Sequence, residues 1–123
     1  MRLITTTPDH VTTTPNAVMT GLAAPSRGSS ELSTWRVAMA AGAGGPEHSV
    51  DREQVWTVTA GTVEITSAGR TEKVAAGQTL VLPPHALRRV HAVEAAEAHV
   101  AMCSDALVTV PGEAEPRVLP WAR

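Results

Sequence analysis

The sequence predicts an all-β fold closed into a barrel or a double sheet. Three observations predict it. Short runs rich in β-branched residues alternate with Gly and Pro punctuation at barrel-like spacing from Trp35 onward. No stretch sustains a helical period. At least eight strands with nothing to cover their edges favour closure, which removes exposed edges.

The elements follow in order. Residues 1–33 are rich in Thr, Pro, Ser and Gly and carry a seven-residue near-repeat, Thr5–Val11 followed by Thr12–Val18. Thr runs favour extended backbone and Pro confines them to edges. This part is expected to form an extended N-terminal arm and first edge strands, lying on the barrel or on a partner subunit. Residues 34–112 are the expected barrel, with strands at 34–40, 54–59, 62–67, 70–74, 79–82, 87–93, 99–104 and 107–110. Ala68-Gly69 reads as a tight hairpin, and a short helical turn is expected over 93–98. Residues 113–123 form a C-terminal tail.

Composition bounds the rest. With 123 residues the chain forms one domain that can build a core without disulfides. It has three Trp, no Phe and no Tyr, so Val, Leu, Ile, Met and Ala fill the core and each Trp carries a large share of apolar surface. Alanine leaves space inside a barrel rather than filling it. The formal net charge is −2, and the only basic pair, Arg88-Arg89, is too small to track phosphates, so no nucleic acid is expected. No apolar run is long enough for a membrane helix. Residues 1–5 lack the apolar stretch of a secretory signal. The lone Cys103 suits a reducing compartment, so the expected location is cytoplasmic.

Two sets of spacings carry chemistry. Gly42, His48, Gln54 and Gly61 stand in one frame, and Gly77 and Pro83 in a second, about 15 residues on. In this the chain resembles the cupin superfamily over roughly residues 35–110. Its first motif runs Gly, five residues, His, one, His, three or four, Glu, six, Gly. Its second runs Gly, five residues, Pro, one, Gly, two, His, three, Asn. The resemblance implies a cupin-type jelly-roll β-barrel, with a metal held by three His and one Glu. At those four positions this chain has His48, Val50, Gln54 and Arg88. His85 replaces the late Gly and Ala92 the Asn.

His48 can ligate a metal, and Gln54 can through its carbonyl oxygen. Val50 cannot, and Arg88 is cationic and has no lone pair. The expectation is therefore no cofactor, with a divalent transition metal on His48 and Gln54 as the alternative. Positions 88, 90 and 92 share a strand face. An inward Arg88 needs a counter-charge. It either meets an anionic ligand, which Arg holds in a bidentate way, or snorkels to the barrel mouth, or pairs with Glu53, Glu64 or Asp51.

The favoured function is a barrel pocket for a small, anionic organic metabolite of the polyketide-like, secondary-metabolism kind. His48 and Arg88 are the expected catalytic residues, in metal-independent acid/base chemistry of isomerase, cyclase or dehydratase type. Gln54, Trp56, Val50, Arg88 and His99 are the expected substrate-binding residues. A metal-dependent dioxygenase or lyase with an atypical ligand set is the second reading, and a non-catalytic small-molecule-binding module the third. The resemblance also implies a homodimer.

Overall fold

The computed structural model describes all 123 residues. Its strands are β1 (Val11–Thr13), β2 (Val18–Gly21), β3 (Leu32–Met39), β4 (Ser49–Val50), β5 (Gln54–Ala60), β6 (Thr62–Ser67), β7 (Arg70–Ala75), β8 (Thr79–Leu82), β9 (Arg88–Ala92), β10 (Ala96–Cys103) and β11 (Val108–Thr109). Three short 3₁₀ turns, at Pro8–His10, Pro25–Arg27 and Pro120–Ala122, are its only helical parts. No helix is long and apolar enough to cross a membrane.

Two antiparallel layers face each other. One is a six-stranded sheet in the order β1-β2-β3-β10-β5-β8. The other starts from the sheet β7-β6-β9. Isolated bridges from Gly44 to His91 and from His48 to Arg88 carry it on to the segment that ends in β4, and β4 pairs with β11. The result is a jelly-roll barrel of the all-β class read from the sequence.

Alternation builds the interior. On β3 the inward residues are Ser33, Trp35, Val37 and Met39, on β5 Gln54, Trp56 and Val58, and on β10 Ala96, Ala98, Val100 and Met102. One inward row crosses five strands through Gly21, Trp35, Val100, Trp56 and Leu80. Adjacent strands lie about 4.8 Å apart, so the two indoles start about 10 Å from each other with only Val100 between them.

The Thr/Pro near-repeat forms β1 and the turn into β2. Thr14 Oγ1 accepts from the amides of Asn16 and Ala17, at 3.2 and 3.1 Å, which closes that turn. β2 then pairs with β3, so the arm extends the chain's own six-stranded sheet.

The expected helical turn over 93–98 is absent. Val93–Ala95 is a bend, and β10 begins at Ala96. Local helix propensity in the Ala/Glu-rich run gives way to pairing with β3 and β5 on both sides. His85, at the position of the motif's late Gly, adopts φ 67°. The turn there requires the left-handed conformation whichever residue occupies it.

Candidate functional site

A cavity of about 250 Å³ lies between the two layers. Its floor is barrel: Trp35, Val37 and Met39 from β3, Gln54 and Trp56 from β5, and Val90 from β9, with His48 at one side. The arm adds the 14–17 turn and Met19, and the tail adds Arg117, Leu119 and Trp121. All three tryptophans of the chain therefore line one pocket. The prominence of Trp56 was legible in the sequence. The pocket position of Trp121 was not, because it depends on the tail folding back.

The tail is held at several points. Ser33 Oγ donates to the Ala122 carbonyl at 2.6 Å, Ser26 Oγ to that of Arg123 at 2.6 Å, and Arg27 Nη2 to that of Trp121 at 3.4 Å. Gly21 makes this approach feasible, since a Cβ there would stand 2.9 Å from the Trp121 carbonyl oxygen.

His48 is half-buried, and its Nδ1 lies 2.9 Å from the Pro46 carbonyl oxygen. A carbonyl only accepts, so Nδ1 carries the proton and Nε2 presents its lone pair. Burial holds His48 below its ordinary value of 6.5, and the charge of Arg88 acts in the same direction against the Pro46 hydrogen bond. At neutral pH His48 is thus an uncharged acceptor.

Arg88 is 1% exposed. Nε, Nη1 and Nη2 are all buried and have no hydrogen-bond partner. None of the acids considered for it pairs with it. Asp51 Oδ1 accepts from the Leu107 amide at 2.8 Å, Glu53 is exposed, and Glu64 stands beside the buried Val63 and Ile65 on the outward face of β6. Burial lowers its pKa to about 10, so it stays protonated at neutral pH. Arg88 points inward beside His48, but it is not among the residues that line the cavity. The expectation of direct substrate contact is corrected to a charge set behind the wall.

Gln54 is buried and lines the pocket, yet its amide is already engaged. Oε1 accepts from Trp56 Nε1 at 2.8 Å, and Nε2 points to Met102 Sδ at 3.7 Å. Gln54 positions Trp56 in the wall. Val50 is 1% exposed and belongs to the packed core, not to the cavity lining as expected. His99 is corrected too. It lies on the exposed face of β10, because the row through Val100 turns residues 97, 99 and 101 outward.

The alternative of a metal on His48 and Gln54 does not fit this donor set. Of the four motif positions only His48 offers a free strong donor, the Gln54 oxygen is turned to Trp56, and Arg88 puts a buried positive charge beside them. No group of three or more His, Cys, Asp or Glu converges anywhere in the chain.

A family model for the cupin domain matches residues 35–105. No curated protein matches the chain. Among solved structures, salicylate 1,2-dioxygenase from Pseudoaminobacter salicylatoxidans, determined as adducts with gentisate, is similar with a TM-score of 0.73 and 17% identity. That match covers 83% of this chain and 31% of the dioxygenase, so the chain spans under a third of that enzyme's length. An RmlC-like cupin from Shewanella frigidimarina is similar with a TM-score of 0.64 and 19% identity over 72% of this chain and 76% of that one. A conserved protein of unknown function from Streptococcus pyogenes gives 0.63 and 25% identity over 71% and 73%. The likeness is one of fold.

Proposed function

The chain belongs to the cupin domain family, and from that premise we propose that its pocket takes a small, flat, weakly acidic organic molecule and moves a proton on it without a metal. The observation that carries this reading is the pairing of a neutral imidazole, with its Nε2 lone pair available, and a buried guanidinium that has no counter-charge. His48 Nε2 accepts a proton from an acidic O–H or C–H of the ligand. The bonding electron pair stays on the ligand as a phenolate- or enolate-like anion. The imidazolium then returns the proton at a different basic atom of the conjugated anion, which is an isomerisation. With a hydroxyl on the carbon next to the one deprotonated, the imidazolium gives the proton to that hydroxyl instead, which leaves as water in a dehydration.

Arg88 supports this from behind the wall. In a low-dielectric interior its charge acts over several ångströms. It stabilises the anion as the anion forms. The three indoles supply flat apolar faces for a ring or conjugated system. The salicylate dioxygenase that shares this fold was determined as adducts with gentisate, which is in keeping with this ligand class.

The test uses 4-nitrophenol, whose ionised form is coloured. An apolar pocket alone would raise the pKa of a bound phenol by desolvation. The expected result is a fall of roughly one unit or more on binding, as for an acid near a cation, and loss of that fall in Arg88→Met. Failure to bind, or binding with an unchanged or raised pKa in the parent protein, would overturn the reading.

A further inference from the structure

The wall of the pocket carries no carboxylate. None of its 18 lining residues is Asp or Glu, and the one permanent charge among them is Arg117. A second guanidinium, that of Arg88, lies behind the wall with no counter-charge. An apolar cavity beside two cations and no acid favours an anion.

The sheet register aims Arg117 at this cavity. Arg117 exchanges both backbone hydrogen bonds with Val108, Val108 N to Arg117 O at 2.8 Å and Arg117 N to Val108 O at 2.9 Å. Val108 in turn pairs with Val50 on β4. Residues paired across antiparallel strands project to the same side. Val50 and Val108 are 1% and 2% exposed, so that side is the barrel interior, and Arg117 projects with them. Along the tail, Arg117 and Leu119 line the cavity and Val118 between them does not, as alternation requires.

Arg117 is also accessible. Its side chain is 58% exposed, and its one ion-pair partner is Glu113, 3.5 Å away and itself exposed. Such a pair contributes little, so a ligand carboxylate can take its place. His48 precedes Val50 by two residues on the same face. Two strand spacings and two residues then separate His48 from Arg117, roughly 12 Å between their backbones. A single ring with a group at each end, hydrogen-bonded at both, spans such a gap.

We propose that Arg117 binds a carboxylate of the ligand, so that the pocket takes a hydroxyaryl or enol acid with its carboxylate at the mouth and its acidic proton at His48. This deepens the proposed function and rests on the pocket's being a ligand site. The guanidinium fork matches a carboxylate in a bidentate way. The barrel supplies the proton acceptor. The tail, which lies outside the matched residues 35–105, selects the acid.

Calorimetric titration of the full chain tests this with 4-hydroxybenzoate against its methyl ester, which keeps the ring and the phenol but has no charge. At low salt the parent protein should bind the acid about tenfold more tightly, the low end for a hydrogen bond to a charged group. Arg117→Gln should bring the acid to within about twofold of the ester. An ester bound as tightly as the acid by the parent overturns the role of Arg117 while the ligand site stands. So does an acid preference that persists in Arg117→Gln, or a loss there shared equally by acid and ester. If the parent binds neither compound, the site reading falls and this inference with it.

A second readout needs no variant. Raising sodium chloride from about 0.02 to about 0.5 M screens an exposed charge pair. Affinity for the acid should fall and affinity for the ester should not. Equal responses would overturn the proposal.

Discussion

His48 and Arg88 exchange both backbone hydrogen bonds, His48 N to Arg88 O at 2.9 Å and Arg88 N to His48 O at 2.8 Å. Residues paired in this way project their side chains to the same side of the sheet. A neutral imidazole and an unpaired guanidinium therefore enter the barrel together.

Arg88→Met should stabilise the ligand-free protein. Burial lowers the folded-state pKa of Arg88 from the ordinary arginine value to about 10. Above about 10 the unfolded chain keeps the proton that the folded chain gives up. At every pH below 10 the fold then bears the full cost of holding the charge, on the order of 3 kcal/mol. Methionine has a comparable apolar stem and no charge. A higher urea midpoint for Arg88→Met, with an unchanged slope, is the expected result. A lower midpoint would mean that the guanidinium has a partner in solution.

Stability should fall as pH drops below about 6.5, the ordinary histidine value. Burial, helped by Arg88, keeps His48 in the fold below that value. The unfolded chain protonates first, so the contribution of His48 is fully present above 6.5. It is lost as pH falls through the lower folded-state value. Urea midpoints at about pH 7.5 and 5.5 should differ less in His48→Gln than in the parent. The proton-accepting role should survive somewhat below the usual histidine range, because His48 stays neutral there.

Gln54→Leu should cost about 1–3 kcal/mol, since it removes the acceptor of Trp56 Nε1 and leaves a buried N–H unsatisfied. Gln54→Glu keeps an acceptor at that place. It also puts a carboxylate in the interior with Arg88, so it should recover much of the loss. Chemical denaturation measures both. An equal loss in the two variants would mean that the Trp56 contact contributes nothing.

Gly21→Ala should loosen the tail without unfolding the barrel. The added methyl meets the Trp121 carbonyl oxygen at 2.9 Å, and Arg27 Nη2 lies closer still. Residues 111–123 should then become cleavable by trypsin at Arg117 under conditions where the parent resists.

The legibility of this fold follows from where local pattern decides the outcome. β6 at Thr62–Ser67 and β8 at Thr79–Leu82 have the bounds read from the sequence, because alternation and flanking Gly or Pro act together there. β4 is two residues long, too short to show a period. Its place is set by β11, which lies far along the chain. The parity of 88, 90 and 92 shows that they share a face but not which way that face turns; the structure turns it inward, and the outward turn of His99 could not be read either. That depends on Val100 lying in register with Trp35 and Trp56. The motif positions located His48 and Gln54. They could not show that Gln54 is committed to Trp56, or that Trp121 closes the pocket from 86 residues beyond Trp35, since neither contact has a local signature.

Divalent metals should leave the protein unaffected. A resident ion would have to sit near His48 and Gln54, where the glutamine oxygen is occupied by Trp56 and Arg88 brings a fixed positive charge. Ligand binding to the folded state raises its melting temperature in proportion to the logarithm of concentration over Kd. Manganese, iron(II), zinc or nickel added to chelator-treated protein should therefore cause no saturable rise. Protein purified without a metal-binding tag should carry well under one metal ion per chain by elemental analysis. The comparison with Arg88→His makes the test sharper. That change removes the charge and adds an imidazole opposite His48. If the arginine is what excludes a metal, Arg88→His should gain a zinc- or nickel-dependent rise in melting temperature that the parent lacks.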